Sequence, residues 1–267
     1  MPGTTVFDTT VPDQARVRNY LLGGKDNYAA DRAAGEALTD PATGHPGIRH
    51  LARESRVFIV GDGHRDGAVQ WLARNKGIAQ FVDVGCGLPA GPTVGSAARS
   101  VISAAAVCYV DGDPVVMAHI RALEARGPGL AAVEADVTDP AVVLADPALR
   151  EVIDLAAPVC VVLGGTLSRM PPETARAVVA GFAEALVPGS AVVISCASFD
   201  DEGVAGRIAA VFGGPGSWRS HGPEDVASFF AGLRLVRGAV GDVRCWPMLP
   251  PGGGRTARVL GGVGIKQ

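Results

Sequence analysis

The sequence predicts an α/β protein with a doubly wound, mostly parallel sheet, and three observations support this fold class. From about residue 76 onward, short apolar runs alternate with helical stretches. Several runs are continuously apolar, as in central parallel strands that are covered on both faces. The preceding residues show helical patterns and no convincing strand. We therefore expect a single domain over residues 1–267, in which a helical cap (1–76) covers a core (77–267).

The core is expected to contain seven strands. The apolar runs that predict them are Phe81–Val84, Ala106–Val110, Leu130–Glu134, Pro158–Leu163, Ala191–Ser195, Leu233–Val240 and Ala257–Ile265. A Gly/Pro-rich segment at residues 247–255 joins the last two runs, so we expect these to pair antiparallel at the edge of the sheet.

Helices are expected in both parts of the chain. Those of the cap run from Asp13 to about Leu22, over Tyr28–Leu38, and from near Gly47 towards Lys76 with a break at residues 61–63. Those of the core include Ala97–Ser103, Pro114–Ala125 and Glu173–Leu186. Asp113 is placed to cap the second of these, with Pro114 in its first turn.

Composition excludes several classes of partner. The chain has 24 Lys and Arg against 27 Asp and Glu, which argues against a nucleic-acid partner. No apolar run approaches the roughly 18–20 residues of a membrane span, and no signal-peptide pattern is visible. The five cysteines are widely spaced, and neither they nor the histidines show metal-ligand spacing. We expect a cytoplasmic protein without a metal site and with no membrane or nucleic-acid partner.

The most informative segment runs from Asp83 to Pro89 and follows the first expected strand. Gly85 and Gly87, on either side of Cys86, allow the backbone to approach a ligand closely. The spacing also fits the dinucleotide fingerprint, but Pro89 interrupts the turn at which a pyrophosphate-binding helix begins. A buried carboxylate at Asp83 suits a cationic ligand better than a diphosphate. S-adenosylmethionine, which carries a sulfonium and an ammonium group, is such a ligand.

Asp111 ends the second expected strand, and Gly112 follows it. A carboxylate at this position can accept hydrogen bonds from both ribose hydroxyls of a nucleoside. Nicotinamide and adenosylmethionine enzymes share the position, so it supports a nucleoside without choosing between the two. We assign the capping of the next helix to Asp113 instead.

Two further strand ends complete the candidate site. Asp136 follows the third strand, where its carboxylate can accept a hydrogen bond from the adenine amino group while Val137 packs against the ring. Gly164 ends the fourth strand, close to the expected position of a reacting methyl group. The carboxyl ends of parallel strands meet at one edge of a sheet, so we expect all these residues to lie together.

The sequence resembles a family of S-adenosylmethionine-dependent methyltransferases first catalogued as a domain of unknown function in actinomycete-type genomes. The segments that resemble it are Ala15–Arg32, Arg53–Arg56, Gly77–Pro89, Tyr109–Val116, Ala135–Pro140, Leu186–Ser190, Phe229–Val236 and Gly261–Lys266. The resemblance implies a class I methyltransferase fold, which is Rossmann-like, with an added N-terminal helical cap. It also implies S-adenosylmethionine as cofactor and S-adenosylhomocysteine as product.

The sequence differs from the family pattern at three places. The family usually has Tyr-Asp in the N-terminal motif, a polar run after the Gly-Leu-Pro motif, and Leu-His-Phe after the fourth strand. The corresponding residues here are Arg18–Asn19, Thr93–Ser96 and Leu167–Arg169. These changes indicate either an acceptor different from that of the relatives or a loss of methyl transfer.

The cap is expected to supply further contacts to the cofactor. Arg53 and Arg56 are three residues apart, so they either present a guanidinium to the methionine carboxylate or form a solvated basic face. Of the two, we select Arg56. Tyr20 shares a helical face with Arg16 and is also selected. No catalytic residue is assigned, because methyl displacement from a sulfonium chiefly requires positioning of the reactants.

Three hypotheses follow for the function. The first is an S-adenosylmethionine-dependent methyltransferase that acts on a small molecule. The second is a protein of the same fold that binds S-adenosylmethionine or S-adenosylhomocysteine without methyl transfer, as a regulator or a repurposed biosynthetic enzyme. The third is an NAD-dependent oxidoreductase.

Overall fold

The computed structural model describes residues 8–248 and 255–267. Within these residues the chain forms a central sheet of eight strands. Strands β1 to β8 are Gln80–Val84, Ala106–Asp111, Leu130–Glu134, Cys160–Gly164, Ala191–Phe199, Leu233–Leu235, Gly241–Asp242 and Ala257–Lys266. Their order is β3-β2-β1-β4-β5-β8-β6, and β7 also pairs with β8. Strands β1 to β5 are parallel, whereas β8 is antiparallel to β5, β6 and β7. The predicted fold class is confirmed.

The predicted number of seven strands is wrong by one, because residues 233–240 do not form one continuous strand. Strand β6 ends after three residues, and β7 begins at Gly241. Between them, Arg237 has a φ of 66°, a left-handed conformation that interrupts an extended chain. The antiparallel pairing predicted for the end of the chain is confirmed by β6 and β8. Residues 249–254, which make up most of the Gly/Pro-rich segment at 247–255, lie outside the described residues.

The helices of the described chain fall into two groups. Helices α1 to α4 precede the sheet and are Gln14–Leu21, Ala29–Thr39, Ile48–Val60 and Ala68–Lys76. Helices α5 to α11 are Val94–Arg99, Pro114–Leu123, Pro140–Ala145, Pro147–Val152, Pro172–Ala185, Glu202–Val211 and Pro223–Ser228. The predicted break in the third cap helix is confirmed at Gly61, which ends α3 with a φ of 77°. Helices α7, α8, α10 and α11 were not predicted.

Both faces of the sheet are buried. Side chains such as Val84, Val110 and Leu163 pack on one face with residues of α8, α9 and α11. Phe81 lies on the other face, in a second cluster that includes Phe58 of α3 and residues of α4 to α6. The carboxyl edge of the sheet therefore remains as the place where a ligand can reach the strand ends. Because β1 lies between β2 and β4, the chain reverses its direction of winding at β1, and a crevice forms at this edge.

Candidate active site

A cleft with two parts lies at the carboxyl edge of the sheet, between the strand-end loops and the cap helices. The first part, which we call the glycine-loop chamber, has about 570 Å³ of empty space and is lined by Asp83, Arg56 and much of the loop 85–94. The second part, which we call the apolar chamber, has about 1000 Å³ and is lined mostly by apolar side chains of the cap, β5, β8 and α10. The residues that line both chambers are Arg18, Gly85, Gly87 and Gly164.

Hydrogen bonds of the main chain fix the glycine loop. The N–H groups of Gly85 and Cys86 both donate to the carbonyl oxygen of Val110, at 2.8 and 3.1 Å. Gly85 and Gly87 have φ values of 69° and 65°, in the region that favours glycine. A Cβ atom on Gly85 would lie 2.6 Å from the side chain of Thr166, whereas a Cβ atom on Gly87 would meet open space. Gly87 therefore leaves room for a ligand against the backbone.

Asp111 holds the loop from the end of β2. Its two carboxylate oxygens accept hydrogen bonds from the N–H groups of Gly87 and Asp113, both at 3.0 Å. Burial raises the pKa of this carboxyl, and the two backbone donors oppose that rise. Each carboxylate oxygen has a second lone pair, so Asp111 can accept two more hydrogen bonds from a ligand in the cleft.

Asp83 faces the glycine-loop chamber from β1. Burial raises the pKa of its carboxyl to about 7, Arg18 opposes this rise, and Asp111 adds to it. Within the described chain this carboxyl has neither a hydrogen bond nor an ion pair within 4.0 Å. A cationic group in the chamber would satisfy it. Burial also raises the pKa of the neighbouring Cys86 thiol, so this thiol remains protonated at neutral pH.

Two arginines of the cap complete the chamber. Arg56 of α3 donates a hydrogen bond of 3.2 Å to the carbonyl oxygen of Pro92 in the loop. The guanidinium of Arg18 in α1 has no hydrogen bond or ion pair to other described residues, although Asp83 and Cys86 lie close enough to favour its charged form. Burial lowers the pKa of both guanidinium groups, and their proximity lowers that of Arg56 further. The chamber thus has two cations and one carboxyl side by side.

Arg18 is a residue of the cleft that the sequence did not select for the cofactor site. Arg18–Asn19 stands where the family motif usually has Tyr-Asp, and this difference is the signal that could have identified Arg18. The second residue of that pair, Asn19, donates from its amide to the carbonyl oxygen of Pro89 at 3.1 Å and accepts from the N–H of Asp26. Asn19 therefore ties the cap to the glycine loop, while Arg18 faces the cleft.

The structure does not bring Tyr20 to the cleft. Its hydroxyl lies 3.4 Å from a carboxylate oxygen of Glu36, and its ring lies against Arg49 and Gly35. Arg16, on the same face of α1, instead forms a buried ion pair with Asp31 at 2.8 Å. The exposed Arg53 also lies outside both chambers.

The predicted adenine contacts lie beside the apolar chamber and do not line it. Asp136 accepts hydrogen bonds from the N–H and the hydroxyl of Thr138, at 2.8 and 2.7 Å, and these bonds lower its pKa. Arg169, which does line the chamber, is close enough to lower the pKa values of Asp111 and Asp136. Val137 follows in the same turn, and Gly112 packs against the carbonyl of residue 135.

The remaining departures from the family pattern also lie at the cleft. Thr93 approaches the hydroxyl of Tyr109 at 3.4 Å, and Gly95 is the small residue that this hydroxyl requires, since a Cβ atom there would collide with it. Tyr109 lines the glycine-loop chamber. On the other side, Ser168 and Arg169 line the apolar chamber. The changes therefore alter the walls of both chambers.

The first helix after the glycine loop begins well beyond the two glycines, and a side chain caps it. Helix α5 begins at Val94, seven residues after Gly87, and has six residues. The side chain of Thr93 already caps it by accepting from the N–H of Ser96 at 3.2 Å. No helix begins at Pro89, where the dinucleotide fingerprint would require one.

Two kinds of feature are absent from the described residues. No group of three or more His, Cys, Asp or Glu side chains in residues 8–248 and 255–267 is placed to hold a metal ion. In the same residues, no helix has both the length and the apolar character needed to cross a membrane.

The comparison with known proteins gives the class of protein. A family model described as S-adenosyl methyltransferase matches residues 2–266, and the chain belongs to this family. Among solved structures, it is similar to a protein of Thermobifida fusca described as a candidate methyltransferase, with 34% identity, 97% of each chain covered and a TM-score of 0.83. It is also similar to a DUF574 family protein of Streptomyces avermitilis, with 32% identity, 97% and 99% covered and a TM-score of 0.85. No curated protein matches it significantly.

Family membership confirms the resemblance found in the sequence. The protein is an S-adenosylmethionine-dependent methyltransferase, and S-adenosylmethionine is its cofactor. This decides against the NAD-dependent oxidoreductase. Neither the family model nor the two solved structures identify the acceptor.

Proposed function

We propose that the protein transfers a methyl group from S-adenosylmethionine to a small molecule bound in the apolar chamber. The observation that supports this most strongly is that the two chambers meet at Arg18, Gly85, Gly87 and Gly164. A cofactor with its methionine part in the glycine-loop chamber and its ribose at Asp111, on the wall of the apolar chamber, would therefore meet an acceptor in the rest of the apolar chamber. We also propose a cytoplasmic enzyme in which cap and core form one domain, since each chamber draws its walls from both.

The polar groups of the cleft fit the cofactor. We assign the ammonium of its methionine part to Asp83, the carboxylate to Arg56 and the ribose hydroxyls to Asp111. The main chain of Gly85, Cys86 and Gly87 would support the methionine part. The unpaired carboxyl of Asp83 and the open space at Gly87 both support this placement.

The adenine would lie beyond Asp111, towards the end of β3. In this placement Asp136 accepts from the adenine amino group, Val137 packs against the ring, and Gly112 keeps the passage between β2 and β3 narrow but open. The proximity of Arg169 to both Asp111 and Asp136 supports a continuous nucleoside site here.

The chain's own contribution to the reaction is to position the two reactants and to exclude water. The bound cofactor supplies an activated methyl group, whose departure from the sulfonium requires no acid. Holding two reactants in the geometry of attack can contribute roughly 7–11 kcal/mol. Gly164 lines both chambers and so lies at the expected point of transfer.

Two experiments test the proposal. Calorimetry should show binding of S-adenosylhomocysteine and no comparable binding of NAD. Incubation with methyl-labelled S-adenosylmethionine and small-molecule extracts should then give a labelled small molecule. Binding without transfer across broad extracts would favour the second hypothesis, a protein that binds the nucleoside without transferring methyl. An absence of nucleoside binding would contradict the proposed site altogether.

A further inference from the structure

We propose that the acceptor is a carboxylic acid with an apolar body, and that Arg18 recognises its carboxylate at the junction of the two chambers. This inference rests on the proposed function and adds the chemical class of the substrate. It combines the lining of the apolar chamber, the charges at the junction and the groups available to move a proton.

The apolar chamber is built for a hydrophobic body. Its walls include aliphatic side chains of the cap and the sheet together with two half-buried aromatic side chains, Phe212 and Trp218. Three of its polar side chains are already paired: Gln14 with the carbonyl oxygen of Ser217 at 2.9 Å, Ser55 with Ser195 at 2.9 Å, and Thr166 with the carbonyl oxygen of Val84 at 2.8 Å. Burial of an apolar body here is therefore favourable.

The junction of the chambers has an excess of positive charge. Arg18 and Arg56 face a single carboxyl, Asp83, and the guanidinium of Arg18 has no hydrogen bond or ion pair to other described residues. The cofactor adds a net positive charge, because its sulfonium and ammonium outweigh its carboxylate. Asp111 compensates in part, but its carboxylate is held by two backbone donors. A protonated amine would be repelled at this place, whereas an anion would be attracted.

The apolar chamber also has no group suited to remove a proton from the acceptor. Among the described residues that line it, the ionisable side chains are Arg18, Arg169 and Asp111. The arginines are not bases at neutral pH, and Asp111 is assigned to the ribose. Asp83 lines the other chamber and is assigned to the ammonium. An acceptor that is already deprotonated at neutral pH fits this chamber, and a carboxylate is such an acceptor.

The transfer then needs no proton movement. One carboxylate oxygen forms a bond to the methyl carbon while the carbon–sulfur bond breaks and its electron pair stays on sulfur. The products are a methyl ester and a neutral thioether. Arg18 would hold the other carboxylate oxygen in a charge-assisted hydrogen bond.

The test uses matched probes and the full-length protein saturated with S-adenosylhomocysteine. Octanoate, 1-naphthylacetate and indole-3-acetate are each compared by calorimetry with the amide and the amine of the same body. We expect at least one carboxylate to bind about tenfold more tightly than its amide, and its amine to bind most weakly. Equal affinities, no binding by any probe, or a preference for amines would overturn the inference. Binding of S-adenosylhomocysteine itself is measured first, so that a failure of the proposed cofactor site is distinguished from a failure of this inference.

Substitutions of Arg18 test whether this residue causes the preference for the carboxylate probe. Arg18→Gln should remove the preference for the carboxylate, and Arg18→Lys should retain part of it. Arg53→Gln is the matched control, because Arg53 is an exposed arginine of the cap outside both chambers. A preference that survives in Arg18→Gln would show that Arg18 does not recognise the anion.

The product gives an independent readout. Labelled methyl esters release labelled methanol in alkali, whereas methyl ethers and methylamines do not. Label that is released from the small-molecule fraction supports the inference even if Arg18→Gln does not fold. Label that is formed but stable to alkali would overturn it.

Discussion

The two sides of the cleft are built in different ways. On the side of the sheet, main-chain groups set the geometry: two N–H groups converge on the carbonyl of Val110, and Asp111 accepts from the backbone of Gly87. On the side of the cap, long side chains reach into the cleft, and Arg18 has no fixed partner among the described residues. Most substitutions leave the main-chain geometry unchanged, whereas a single substitution removes a side-chain contact. Under the proposed function, the main chain of the sheet side would hold much of the cofactor, whereas Arg18 of the cap would recognise the acceptor.

The first prediction breaks a buried ion pair inside the cap, between α1 and α2. Asp31 is fully buried, pairs with Arg16 at 2.8 Å and accepts from the N–H groups of Asp13 and Tyr28. Asp31→Ala would leave the buried guanidinium of Arg16 without its carboxylate, so we expect a loss of about 3–5 kcal/mol in the free energy of unfolding. Denaturant unfolding measures this loss.

Asp66→Ala is the control for the first prediction. Asp66 pairs with Arg74 at 2.9 Å, nearly the same distance, but both side chains are exposed by more than a third. The free energy of unfolding should therefore change by less than about 1 kcal/mol. Equal losses in the two variants would show that the buried pair does not stabilise the packing of α1 on α2 more than an exposed pair would.

The second prediction weakens the sheet side of the cleft. In Asp111→Ala the ribose hydroxyls lose a charged acceptor and the N–H of Gly87 loses its partner. We expect binding of S-adenosylhomocysteine to weaken by about 1.5–3 kcal/mol, measured by calorimetry. The neighbouring acid Asp113 caps α6 through the N–H of Val115 and provides the control, because Asp113→Ala should leave the affinity nearly unchanged. Unchanged affinity in Asp111→Ala would show the ribose assignment to be wrong.

The contrast between main-chain geometry and side-chain contacts also explains which parts of the structure the sequence predicted. Strand β3 was predicted at its observed bounds, and β1, β2, β4 and β5 began within two residues of them, because a strand buried on both faces must be continuously apolar. The predicted strand at residues 233–240 failed at Arg237, since its left-handed φ depends on the surrounding fold and leaves no mark in the composition. Local burial is readable in a sequence, whereas a single backbone angle set by tertiary contacts is not.

The candidate site follows the same rule. Asp83 and Asp111 were found because strand ends converge by topology wherever the strands are parallel. Tyr20 was selected on the cap and Arg18 was not, although only two residues separate them. Two residues turn an α-helix by about 200°, so the choice of one face excluded the other. Which face of α1 meets the cleft depends on how the cap packs, and the spacing of the residues does not determine it.

The third prediction uses the raised pKa of Asp83. Since burial raises this pKa to about 7, the ligand-free carboxyl is largely protonated below pH 7 and cannot pair with an ammonium. We expect the affinity for S-adenosylhomocysteine to fall up to about tenfold for each pH unit below 7 and to level off above it. Calorimetry between pH 5.5 and 8.5, on the order of one measurement per half unit, gives the profile. Asp83→Asn should bind weakly and without this dependence.

The stability of the ligand-free protein should respond to Asp83 in the opposite direction. Between the ordinary carboxyl pKa of 3.8 and about 7, the folded state binds more protons at this residue than the unfolded state. The contribution of Asp83 to stability is therefore greatest at acid pH and declines as the pH rises through that window. The difference in unfolding free energy between the wild type and Asp83→Asn, measured at several pH values, isolates this contribution. A difference that does not vary with pH would contradict the raised pKa.

The smallest expected effect comes from alanine at Gly87, compared with alanine at Gly77. The comparison distinguishes a loss of space for the cofactor from strain in the backbone. Gly87 and Gly77 have similar φ values, 65° and 68°, and a Cβ atom on either would meet no protein atom within 4 Å. Alanine at either position should therefore cost about 1–2 kcal/mol in stability, because both adopt a left-handed conformation.

Gly87 lines both chambers, whereas Gly77 ends α4 outside the cleft. Only Gly87→Ala should weaken binding of S-adenosylhomocysteine, by about 1 kcal/mol or more, since its methyl group would occupy about the volume of one buried methylene in the cleft. Equal affinities in the two variants would mean that the cofactor does not approach the backbone at Gly87. The main chain of the sheet side would then not determine how the cofactor binds.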